Sequence, residues 1–69
     1  MKTRQFTVIV HQEDGMYIAQ CPEVGTVDQG ETPEAAIAGL QEATRLYLET
    51  FPLPETTPPL VTSMEVSYA

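Results

Sequence analysis

The six prolines of this chain, at positions 22, 33, 52, 54, 58 and 59, decide where regular structure can lie. A proline has no N–H to give to a sheet ladder, and inside a helix its ring clashes with the preceding turn. Strands and helices must therefore fit between these positions or begin at one of them. The stretch 34–51 is free of proline and long enough for a helix of about five turns. By contrast, "PLPETTPPL" at 52–60 carries four prolines and reads as a stiff, extended crossover.

Ahead of Pro22 the pattern has period two. "QFTVIVH", residues 5–11, sets Phe6, Val8 and Val10 on one side and Gln5, Thr7, Ile9 and His11 on the other, which predicts a first strand. "EDG" follows, and a glycine after an aspartate supplies the positive φ of a tight hairpin turn. "MYIAQC" returns as a second strand, closed by Pro22. A two-residue turn at Asp14-Gly15 would put Val10 opposite Ala19 and Val8 opposite Cys21, whereas a three-residue loop with a glycine bulge would shift that register by one. Gly25 permits the bend into a short third strand around Thr26 to Asp28, which Gly30 ends.

Thr32 then reads as a helix N-cap, with Pro33 at the first helical position and Glu34 in the first turn, against the positive end of the helix dipole. From Pro33 to about Thr50, Ala36, Ile37, Leu40, Ala43, Thr44, Tyr47, Leu48 and, just beyond, Phe51 gather on one side to pack on the sheet. Gln41, Glu42, Arg45 and Glu49 gather on the other, and Leu46 falls among them. After the crossover "TSMEVSYA", residues 62–69, alternates again, with Met64, Val66 and Tyr68 on one side, and predicts a final strand. The expected fold is α+β: one small domain over 1–69 with order β-β-β-α-β, an antiparallel hairpin sheet and one helix packed on one of its faces.

The stretch "GTVDQGET" at 25–32 has the outline of a phosphate-binding loop, but Glu31 stands where the phosphate-balancing lysine belongs. Its glycines are therefore read as serving backbone geometry, with no nucleotide and no other cofactor. The 69 residues carry 10 acidic against 3 basic side chains, a net charge of −7, and nothing resembles the clustered cations of a nucleic-acid groove. No apolar run approaches a membrane span, and no basic-then-apolar leader opens the sequence, so the cytoplasm is the expected location. Cys21 is the lone cysteine and is read as a core residue rather than a nucleophile, because His11 is not marked as its base.

Across residues 14–49 the order Asp14, Gly15, Tyr17, Ala19, Pro22, Glu23, Gly25, Gln29, Gly30, Thr32, Glu34, Ala35, Tyr47, Leu48, Glu49 resembles the HicB-like antitoxin family. The resemblance implies a truncated ribonuclease H-like domain that neutralises a small basic HicA-type toxin, an mRNA-cleaving ribonuclease, by protein–protein binding. Many family members add a DNA-binding segment after the sheet. Residues 62–69 offer no such segment, so a repressor role is not implied.

Three functions compete at this point: an inhibitor covering a basic nuclease, a free-standing oligomeric binding or regulatory module with no toxin, and a nuclease. The nuclease ranks last, since Glu13, Asp14, Glu23 and Asp28 lie in turns or corners where acids are ordinarily solvated, and a fold does not transfer a site. The expectation is a non-enzymatic antitoxin, a homodimer or larger because so small a sheet leaves a face and edges bare. Its candidate contacts are Ile9 and His11 on the exposed sheet face and Glu42, Leu46 and Glu49 on the outer helix face.

Overall fold

The computed structural model describes residues 3–53, 55 and 57–69. Three antiparallel strands, β1 (Ile9–Glu13), β2 (Met16–Cys21) and β3 (Thr26–Gly30), form a sheet in chain order, and one helix, α1 (Pro33–Thr50), packs on one face. The hairpin takes the two-residue turn: Glu13 pairs with Met16 and Val10 with Ala19. Asp14 and Gly15 both hold positive φ, 51° and 79°, the pair of left-handed residues that matches strand twist.

Residues directly opposite one another share a face, so the pairing sorts the sheet. Tyr17, Ala19 and Cys21, with Val10 on β1 and Thr26, Asp28 and Gly30 on β3, point toward the helix. Ala19, Cys21, Ala36 and Leu40 form the buried core, with Phe6, Val10, Tyr17 and Val24 packed around it. Thr26 and Thr44 share a hydroxyl hydrogen bond of 2.7 Å that ties β3 to the middle of the helix. The helix starts as expected: the Thr32 hydroxyl accepts from the Ala35 N–H at 3.0 Å, with Pro33 next.

Three expectations are corrected. The first strand begins at Ile9 rather than Gln5, because β2 ends at Cys21 and the Thr7 N–H, with no strand beside it, donates instead to the Glu23 carboxylate. Residues 62–69 form no strand: a period-two pattern gives a segment the capacity to pair, but no strand lies beside it, and Met64, Val66 and Tyr68 stand exposed. Among the described residues the order is thus β-β-β-α, without the expected final strand. Ile37 and Phe51, placed on the packing side, are exposed too, because the helix lies over β3 and β2 and barely touches β1.

Candidate functional site

The five candidate contacts fall on two opposite sides of the molecule. Ile9 and His11 lie on β1 facing away from the helix; their partners Gln20 and Ile18, and beyond them Val27 and Gln29, complete that outer sheet face. It is a flat field of aliphatic and amide groups, with Val27 58% exposed, and its charge is confined to the His11–Glu13 pair at 3.3 Å. Glu42, Leu46 and Glu49 lie on the helix, about half a turn of the helical wheel away from buried Leu40. The sheet and the core stand between the two groups.

On the helix, Arg45 joins both candidate carboxylates. It donates through its terminal and ε nitrogens to Glu42, and through the other terminal nitrogen to Glu49 at 2.8 Å. The Arg45 hydrogen bonds, foremost, and its charge hold the Glu42 carboxyl below its ordinary pKa, and the guanidinium is correspondingly more basic than usual, chiefly through Glu42. Leu46 stands beside this clamp, 51% exposed. The sequence carried the signal, since Glu42 and Glu49 lie three residues before and four after Arg45, the spacings that meet on a helix.

Glu23 is the residue that sequence reasoning misplaced. It was expected to be solvated, and it is buried, 8% exposed. The Thr7 hydroxyl donates to it at 2.9 Å, the Thr7 N–H reaches both of its oxygens at 3.0 and 3.1 Å, and the Cys21 thiol lies at 3.7 Å. Burial alone would push the carboxyl pKa up; the Thr7 hydroxyl and N–H, its own N–H and the Cys21 thiol outweigh that and leave it lowered. No local pattern marks such a contact, because Thr7 and Glu23 are 16 residues apart. The carboxylate fastens the segment leading into β1 to the corner after β2.

A lowered folded pKa means that Glu23 stabilises the fold fully where both states are ionised, above about pH 5, and loses that contribution as pH falls through the unfolded and then the folded value. Glu23→Gln keeps an acceptor for Thr7 and removes the titration. Urea melts at pH 7 and pH 3.5 should therefore show the wild type ahead of the variant at the higher pH and the gap narrowing at the lower one. An unchanged gap would mean that the carboxylate's charge plays no part.

Cys21 is buried on the helix side of the sheet while His11 is on the other, so the two cannot form a nucleophile and its base. Among the described residues no three His, Cys, Asp or Glu side chains are gathered to hold a metal ion, and no helix is long and apolar enough to cross a membrane. The stretch 25–32 is a backbone device: Gly25 has φ 93°, and a Cβ on Gly30 would meet the first turn of the helix. No family model, curated protein or solved structure matches this chain.

Proposed function

We propose that the protein acts by binding, as a HicB-like antitoxin that covers the basic surface of a small HicA-type mRNA-cleaving toxin in the cytoplasm. The observation that supports this reading above others is where the acidic surplus resides. Glu23 is taken up inside the fold, and Glu42 and Glu49 share Arg45, yet Asp14, Glu31, Glu34, Glu55 and Glu65 are exposed, with no ion pair among the described residues. Such a surface repels RNA and attracts a cationic protein. In this reading the helix face with Leu46 and its carboxylates meets the toxin, with Ile9 and His11 on the outer sheet face as a second candidate contact.

The test is co-expression with a small basic protein encoded beside this chain. Co-purification and relief of the growth arrest that protein causes are the expected results, and the absence of both would reject the reading. Steering by exposed charge is screened beyond about 10 Å at 0.1 M salt and beyond about 3 Å at 1 M. The association rate should accordingly fall by roughly tenfold or more between those salt concentrations.

One set of observations favours the second reading, a free-standing binding or regulatory module. The residues that resemble the antitoxin family have structural work in this fold: Asp14 and Gly15 make the turn, Ala19 the core, Glu23 the staple, Gly25 and Gly30 the corner, and Thr32 the cap. A module with no toxin would need the same letters, and the co-expression outcome separates the two.

A further inference from the structure

Two features of this molecule lack a partner, and they are complementary. The first is β1, an edge strand whose helix-facing side is only partly covered because α1 lies chiefly over β3 and β2. Val8, just ahead of it on that side, is 41% exposed, and Val10 is only partly buried. The second is the segment 61–68, which alternates as a strand does and presents Met64, Val66 and Tyr68 on one side and Ser63, Glu65 and Ser67 on the other. Those three large side chains are 61–91% exposed. Isolated apolar residues on a surface are ordinary, but a row at strand spacing in a chain whose sheet has an open edge is the pair of features that strand addition uses.

We propose that residues 61–68 of one copy pair with the free edge of β1 in a second copy, each completing the other's sheet with a fourth strand. Met64, Val66 and Tyr68 would then cover the exposed part of the helix-facing side of β1, and Ser63, Glu65 and Ser67 would fall on the outer side, as a period of two requires. The second copy is favoured over the chain's own sheet by the crossover. Its four prolines favour extended backbone by their fixed φ, and residues 60–69 are exposed throughout. The radius of gyration is 14.1 Å and the long axis 50 Å, where a compact chain of this length would have a radius of about 11 Å. Exchange of one element between identical chains closes the β1 edge of both copies by one two-fold operation. The inference is independent of whether a basic partner exists.

The experiment compares the full chain with its Met64→Lys/Val66→Lys variant. Light scattering at tens of micromolar should give a dimer for the wild type. The variant should have a dimer dissociation constant larger by on the order of 100-fold, since two charges would have to enter an apolar seam. Far-UV circular dichroism should show the helix intact in both, because Met64 and Val66 are exposed and outside the buried core. Hydrogen exchange of the wild type adds a readout that does not depend on the variant: amides in 61–68 should be protected when concentrated and lose protection on dilution to the monomer. A monomeric wild type, a dimer indifferent to the lysines, or protection that survives dilution because the segment folds onto its own sheet would each overturn the proposal.

Discussion

Leu40→Ala should leave a large fraction of the molecules unfolded without denaturant. Leu40 is 2% exposed, the largest side chain fully buried, and its companions Ala19, Cys21 and Ala36 are small. It therefore supplies the largest single share of the fully buried apolar volume between sheet and helix. Truncating a buried leucine costs about 2–5 kcal/mol, from lost transfer energy plus the cavity left behind. A core of this size stabilises a fold by only about 3–5 kcal/mol in total. Far-UV circular dichroism with urea titration at low protein concentration, where self-association adds nothing, should show lost helix signal and a midpoint near zero urea. Val27→Ala on the open sheet face, examined in the same way, should change stability by less than about 0.5 kcal/mol. A Leu40→Ala chain as stable as the Val27→Ala chain would refute this account of the core.

Gly30→Ala should be nearly as damaging for the opposite reason, too little space. A Cβ there would lie 2.7 Å from the Ala36 nitrogen and 2.9 Å from the carbonyl carbon and Cβ of Ala35. Most of these are backbone atoms in the first turn of the helix, and they cannot swing aside as the tip of a side chain can. Relief requires the helix start to move off β3, which pulls Thr32 out of its cap. Overpacking of this kind costs about 1–3 kcal/mol. Gly39→Ala is the informative contrast. Its Cβ would meet the Asp28 carboxylate at 2.5 Å, a group that can rotate away, while alanine in place of a helical glycine gains about 0.8–1 kcal/mol of propensity. Urea midpoints should therefore fall sharply for Gly30→Ala and change little for Gly39→Ala; equal losses would show that space at the β3–α1 junction is not the constraint.

The parts of the fold that could be read from the sequence are those governed by neighbours in the chain. Asp14-Gly15 dictates a hairpin turn, and Thr32-Pro33 dictates a helix start, whatever lies elsewhere. Such signals gave the helix its bounds and placed β2 and β3. What could not be read depends on distant groups. The alternation at 62–69 indicates a capacity to pair, and pairing needs a strand alongside. The N–H of Thr7 turns to Glu23 because no strand continues beside it, and that fact belongs to the corner after β2, not to residues 5–11. Ile37 follows the helical period of the core set, yet a helix resting over β3 and β2 leaves its flank uncovered. The same limit applies to the candidate surface: Ile9, His11, Glu42, Leu46 and Glu49 were each legible as exposed, but only the folded chain separates them into two sides.

The sheet is ordered as the chain is, β1-β2-β3, and the helix that follows β3 lies chiefly over it. Each element thus finds its main neighbour in the one made just before it, and the loops to be closed are short, which keeps the entropic barrier to folding low. A chain emerging from the ribosome can then assemble in the order of its synthesis: hairpin, third strand, and finally the helix that seals the core. Residues 61–68 emerge only after every element of that domain has been made. The edge of β1 is therefore the oldest open position in the domain, and it is still vacant when residues 61–68 are made.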